Sequence, residues 1–225
     1  MANDYFCFRL FTIRQRLCAM KVGTDGTLLG AWAEGGKRIL DIGTGTGLLA
    51  LMMAQRFPMA SIVGIDIDAD AVEQAKENAS MSPFSSRVTI EMADVRNYTP
   101  GILFDSIVCN PPFFSNSMQS PDHKRSLARH SVTLEYHELL DCICRLLDED
   151  GQFSVIVPFD YRRRMENEAI MRGLFLIRRW RFLTTPQKQP RRYLLSFAKR
   201  SGKLDEGELV LGDNQYVELM KDFYL

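Results

Sequence analysis

The chain has 225 residues, 46% of them apolar and 25% charged, a composition that suits one good-sized folded domain and excludes a disordered polypeptide. Lys plus Arg and Asp plus Glu both number 28, so a uniformly basic nucleic-acid coat is excluded while a local basic patch is not. The longest apolar run, Leu48 to Ala54, is far too short to span a membrane. The N-terminal stretch shows no basic leader followed by an apolar core, so no secretory signal is expected.

In chain order, Arg38–Ile42 reads as a strand, followed by a glycine-rich turn and a helix over Leu48–Phe57. Strands are predicted at Ser61–Ile67, Val88–Met92, Phe104–Cys109 and Gly151–Val157, with helices at Asp70–Ser80, Leu134–Leu147 and Tyr161–Arg172 between or after them. Leu174–Leu183 and Tyr193–Ala198 then read as a closing hairpin. Alternation of strand and helix predicts a doubly wound α/β sheet with helices on both faces. The five cysteines, at 7, 18, 109, 142 and 144, have no zinc-like spacing and are expected to be reduced packing residues. No metal is expected.

Charge is segregated along the chain. Val157 to Lys203 carries thirteen Lys/Arg against three acids, while the tail from Leu204 carries six acids against one Lys. One reading is a solvated face with a compensating acidic tail. The other is a phosphate-binding surface, with Trp180, Phe182 and Tyr193 interleaved among the arginines.

Asp41-Ile-Gly43-Thr-Gly45-Thr-Gly47 closes the first of these strands and opens a helix. Glycines there let the backbone turn tightly and approach a ligand. No triphosphate-binding GxxxxGK[ST] occurs. Asp66 ends the next strand, placed to accept from ribose hydroxyls, and Asp94 follows the third. Ligands of open α/β sheets bind beyond the carboxyl ends of the strands, so these three acids are expected to converge.

The fourth strand runs directly into Asn110-Pro111-Pro112-Phe113. An amine on an aromatic ring delocalises its lone pair and is a poor nucleophile. Acceptors on its two N–H groups, from the Asn110 side chain and the Pro111 carbonyl, favour the tetrahedral nitrogen needed for in-line attack on a methyl group. Pro112 stiffens the turn, and Phe113 offers a face for a flat base. No shifted general base is required, because the nitrogen turns acidic once methylated. His123, His130 and His137 are therefore read as surface or packing residues.

The glycine loop and its acids resemble the S-adenosylmethionine site of class I methyltransferases over residues 37–160. The resemblance implies a Rossmann-like, mostly parallel seven-stranded sheet with the closing antiparallel hairpin. It places Gly43, Gly45 and Gly47 against the methionine and ribose, Asp66 on the ribose hydroxyls, Asp94 on the adenine amine and Asp41 near the amino group. The Asn-Pro-Pro-Phe motif resembles that of enzymes methylating planar amino groups, on adenine or on protein glutamine. Glutamine enzymes of that kind carry a sizeable N-terminal domain, for which about 36 residues leave no room.

Residues 17–33, Gln119–Leu140 and the closing Asp222-Phe-Tyr-Leu resemble the bacterial tRNA1(Val) adenine-37 N6-methyltransferases. That similarity implies that Lys21, Thr24 and Asp25 border the cofactor or target base; Gly23–Gly26 reads equally as a turn into a helix at Thr27–Trp32. Lys124, Arg125 and Arg129 become candidate phosphate contacts. The implied protein is a cytoplasmic monomer acting on tRNA, one domain over 1–225: an N-terminal extension (1–36), a cofactor and NPPF core (37–160), and a C-terminal helix, hairpin and tail (161–225). The rival readings are adenine methylation in rRNA or DNA, glutamine methylation, an RNA-binding protein that keeps S-adenosylmethionine affinity, and a nicotinamide oxidoreductase.

Overall fold

The computed structural model describes residues 4–18, 20–111 and 134–224. It opens with a small antiparallel hairpin, β1 (Tyr5–Cys7) and β2 (Thr12–Arg14), and helix α1 (Thr24–Trp32). Then come β3 (Arg38–Ile42), α2 (Leu48–Arg56), β4 (Ser61–Asp66), α3 (Ala69–Met81), β5 (Val88–Met92) and β6 (Phe104–Cys109). From residue 134 onward follow α4 (Tyr136–Leu146), β7 (Leu147–Pro158), α5 (Arg162–Ile170), β8 (Phe175–Leu183), β9 (Arg192–Ala198), β10 (Asp205–Val210) and α6 (Asn214–Met220).

The central sheet runs β10-β8-β9-β7-β6-β3-β4-β5, with every pairing parallel except those of β9. Its helices lie on both faces because strand side chains alternate between them. Ile39, Val108, Ile156 and Leu194 join the core under α1 and α2, while their neighbours Leu40, Ile107, Val155 and Leu195 join the core under α4 and α5. Helix α4 begins at a capping box in which Glu135 and Glu138 satisfy each other's backbone N–H groups, and buries Leu139, Leu140, Ile143 and Leu146 at helical spacing.

The seven expected strands are present, and an eighth, β10, pairs parallel to β8 at the edge. Its sequence, DEGELV, has no apolar run to announce it. Charge holds it instead: Asp205, Glu206 and Glu208 lie opposite Arg178, Arg179 and Arg181. Arg178 Nε meets Asp205 at 3.2 Å, Arg179 Nη2 meets Glu206 at 2.6 Å, and Arg181 pairs with Glu208. Gly207 faces Trp180, where a Cβ would approach the indole to 2.5 Å, so the strand must be bare at that point. Elsewhere Arg162 pairs with Glu166, Arg172 with Asp141 and Glu168, and Lys199 with Glu149. Much of the basic segment is thus neutralised within the chain, and the compensating-tail reading holds for β8.

At the amino edge, Asp105 of β6 clips the start of β3. Its Oδ2 accepts from the Lys37 and Arg38 backbone N–H groups at 2.8 and 2.9 Å, and Oδ1 meets the Arg38 guanidinium at 2.5 Å. Asp105→Ala leaves two N–H groups without their acceptor and is expected to destabilise the fold by about 2 kcal/mol in urea unfolding; an unchanged midpoint would remove this clip as a stabilising contact.

Candidate active site

The strands β3, β4 and β6 end level with one another. Ile42 lies opposite both Ile65 and Cys109, so Gly43, Asp66 and Asn110 follow side by side at the carboxyl edge. The glycine loop is pinned there: the N–H groups of Gly43 and Thr44 donate to the Ile65 carbonyl at 2.9 and 3.0 Å, and Gly45 N–H donates to Asp66 Oδ2 at 2.9 Å. Gly43 and Gly45 have φ of 68° and 55°, in the left-handed region that disfavours side chains. A Cβ on Gly43 would meet nothing within 4 Å, so the loop faces open space rather than packed protein. Gly47 lies deeper, packed against Ala75 at the start of α2.

Asp41 is wholly buried beneath this loop. Its Oδ2 accepts from Thr44 Oγ1 at 2.6 Å and from Ala50 N–H at 3.1 Å, tying the loop to α2; Oδ1 is buried with no partner. Burial pushes its pKa up to about 7, outweighing both hydrogen bonds.

A cavity of about 360 Å³ opens over the loop, walled by Lys21, Thr24, Asp25, Gly26, Gly43, Gly45, Leu48 and Asn110 on one side and by Phe182, Thr184, Arg191, Arg192 and Leu211 on the other. The segment read as turn or helix start is the N-terminus of α1, and it lies against the motif: a Cβ on Gly26 would stand 3.7 Å from Asn110 Nδ2. Asn110 Oδ1 is buried and accepts no hydrogen bond, an unspent acceptor at the cavity wall. Asp25 accepts from Arg192 Nε at 2.8 Å, bracing α1 against β9.

The expected residues therefore fall into groups. Lys21, Thr24, Asp25, Gly43, Gly45 and Asn110 share the cavity, and Asp66 abuts it through Gly45. Asp66 Oδ1 also accepts from Asp68 N–H at 3.0 Å. Asp94 is held by Arg96, whose Nε lies 2.9 Å from both its oxygens; this guanidinium keeps the carboxyl below its ordinary pKa, and Asp94 does not line the cavity. Pro111 follows Asn110, whereas Pro112, Phe113, Lys124, Arg125 and Arg129 lie outside the described residues. Sequence reasoning missed the far wall. Phe182 falls among the aromatics, and Arg191 and Arg192 among the arginines, of the segment with a phosphate-binding reading, a footprint for RNA rather than a cavity wall, and Leu211 carries no signal.

The residues present fit S-adenosylmethionine: a bare glycine cradle, an acid beside it and an unsatisfied buried acceptor. Sheet order and loop together define a class I methyltransferase fold. Residues 26–157 match the methyltransferase small domain family. The chain is 45% identical to the tRNA1(Val) (adenine(37)-N6)-methyltransferase of Phocaeicola vulgatus, covering 100% of this chain and 99% of that one. It is 40% identical to the protein of the same name from Trichodesmium erythraeum, again over 100% and 99%. The chain belongs to this tRNA1(Val) (adenine(37)-N6)-methyltransferase family. Among solved structures, a predicted O-methyltransferase from Agrobacterium tumefaciens shares the fold at a TM-score of 0.61 and 19% identity, covering 85% of this chain and 90% of that one. The glycopeptide N-methyltransferase MtfA in complex with S-adenosylmethionine does so at 0.57 and 12%, over 80% and 90%.

Asp41 holds its proton in the folded protein until about pH 7 but releases it near the ordinary carboxylate value of 3.8 when unfolded. Its contribution to stability is full below that lower value and is lost as pH rises through 7. Asp41→Asn keeps the acceptor and removes the titration. Urea unfolding between pH 5 and 8 is expected to show a flatter pH dependence in the variant than in the wild type; equal slopes would show that Asp41 does not titrate there.

Proposed function

We propose that the protein methylates N6 of adenine 37 in tRNA1(Val), beside the anticodon, as a cytoplasmic monomer built from a single domain over residues 1–225. The observation that carries this reading is the buried, unpartnered Asn110 Oδ1 at the wall of a cavity floored by the glycine loop. The names and full-length similarity of the relatives support the substrate. Among the described residues, no helix is long and apolar enough to cross a membrane.

S-adenosylmethionine, when bound, supplies a methyl group on a sulfonium and leaves as S-adenosylhomocysteine. Gly43 and Gly45 let the backbone approach its methionine and ribose, with Gly47 setting the turn into α2. Asp66 retains lone pairs for the ribose hydroxyls after accepting two backbone N–H groups. Asp94, oriented by Arg96, would take the adenine amine, and Asp41, buried beneath the glycine loop, would lie near the amino group without lining the cavity. Lys21, Thr24 and Asp25 close the α1 side.

The target base leaves its stack to reach the cavity. Asn110 Oδ1 and the Pro111 carbonyl accept its two N6–H bonds and turn the lone pair toward the methyl. Pro112 fixes that turn, Phe113 stacks the ring, and Lys124, Arg125 and Arg129 hold adjacent phosphates. The extra proton on the methylated nitrogen passes to water. Asn110 contributes by position, because both acceptors are aimed before the base arrives.

Incubation of the protein with methyl-labelled S-adenosylmethionine and tRNA lacking the modification is expected to place label in N6-methyladenosine at position 37. Asn110→Ala is expected to lower kcat by at least about 100-fold, as when a transition-state hydrogen-bonding group is removed, while S-adenosylhomocysteine affinity stays within about threefold, or under 1 kcal/mol. Undiminished turnover in the variant would overturn the mechanism. Label appearing only in DNA, rRNA or a protein glutamine would overturn the substrate.

A further inference from the structure

The carboxyl edge carries side chains that the cofactor and the target base leave unused. Strand β8 is parallel to β10 and antiparallel to β9, which is itself antiparallel to β7. The loop between β8 and β9, residues 184–191, therefore turns at the same edge as the glycine loop and Asn110. Strand β7 ends beside it: Pro158 lies opposite Arg192, and Phe159 N–H donates to the Arg191 carbonyl at 3.3 Å.

Two groups stand out on this rim. Phe159 is 40% exposed, a large apolar surface for a residue one step beyond a buried strand. Its ring is supported from within, 6.1 Å from the Tyr193 ring at 35°, and Tyr193 is in turn covered by the Arg162 guanidinium, 5.1 Å from its centroid. Arg191 lines the cavity and, unlike Arg162 and Arg192, forms no ion pair with a described residue. A buttressed, solvent-facing aromatic joined through its backbone to a residue whose guanidinium forms no ion pair with a described residue supplies the chemistry that holds single-stranded RNA, base on ring and phosphate on cation.

We propose that Phe159 and Arg191 position the nucleotide that flanks the methylated one: its base stacks on Phe159, and the phosphate joining the two nucleotides is held by Arg191. Flipping the target base strips its neighbour of a stacking surface, and Phe159 replaces that surface at the cavity rim. The inference rests on the RNA-methylating activity proposed above. Both are positioning residues, acting on KM for RNA and not on the methyl transfer itself.

The test uses an unmodified anticodon stem-loop RNA and labelled S-adenosylmethionine, with Phe159→Leu, Phe159→Trp and Arg191→Gln beside the wild type. Leucine preserves apolar packing on Tyr193 while removing the aromatic face. Phe159→Leu is expected to raise KM for RNA about tenfold, within the range of losing one base–aromatic stack, with kcat and S-adenosylhomocysteine affinity held. Phe159→Trp is expected to restore KM to within about twofold of the wild type, because any aromatic face serves this sequence-tolerant stacking. For Arg191→Gln, the slope of log KM against log salt should fall by about 0.7, one phosphate contact on single-stranded RNA. A wild-type KM in Phe159→Leu, failure of Phe159→Trp to restore it, a parallel loss of S-adenosylhomocysteine affinity, or an unchanged salt slope in Arg191→Gln would each overturn the assignment. A wild-type protein that transfers no methyl to RNA would instead overturn the proposed activity, and this inference with it.

Discussion

The register of three parallel strands is the constraint on which the rest of the molecule depends. Because Ile42 sits level with Ile65 and Cys109, the residues that follow each strand emerge together: a glycine turn, a carboxylate and an amide. Parallel strands expose unpaired backbone groups at this edge, and the loop uses them, hanging from the Ile65 carbonyl and the Asp66 carboxylate. A slip of one residue in β6 would send Ile107 and Cys109 to the opposite core and take Asn110 out of the cavity wall. The Asp105 clip at the far end of β6 and β3 guards against that slip, so a surface ion pair at the amino edge sets the geometry of the site at the carboxyl edge.

Burial does the second part of the work. Asp41 gives up solvation to hold Thr44 and the first turn of α2, and its raised pKa records that cost. Asn110 gives up solvation without an internal partner. Buried polar groups are ordinarily paired, and the amide oxygen of Asn110, a residue that lines the cavity, is left without a partner. The Oδ2 of Asp41 is satisfied and stiffens the loop, whereas its Oδ1 and the Oδ1 of Asn110 are both left unsatisfied.

Much of this was legible from residue pattern. Strands β3 to β6 are short apolar runs bounded by polar or glycine residues, and their predicted bounds agree with the structure to within a residue. Strand β7 begins at Leu147, four residues earlier than Gly151, because Leu147 continues the apolar spacing of the preceding helix and the next three residues, Asp148 to Asp150, are acidic. Strand β10 escaped notice for a different reason: acids at three of its six positions read as a solvated tail, and their partners lie 27 residues away on β8. Asp94 shows what the spacing of acids along the chain leaves out. Its partner, two residues on, was in plain view, but only side-chain geometry shows Arg96 folding back onto it. The hairpin β1–β2 depends on contacts with α3 and the C-terminal segment that no local pattern encodes, such as Arg14 N–H to Asn78 and Arg9 N–H to the Phe223 carbonyl.

The cavity draws its walls from regions far apart along the chain, residues 20–49 with Asn110 on one side and 182–211 on the other, with Asp25 and Arg192 joined across the gap. Translation delivers the first wall and the glycine loop long before the second. A chain cut before β8 therefore carries the glycine loop and the first wall but none of the second. Only after β9 has threaded between β7 and β8 does the pocket exist. Any chain that stops short of Arg192 lacks part of the far wall and the Asp25–Arg192 tie across the gap.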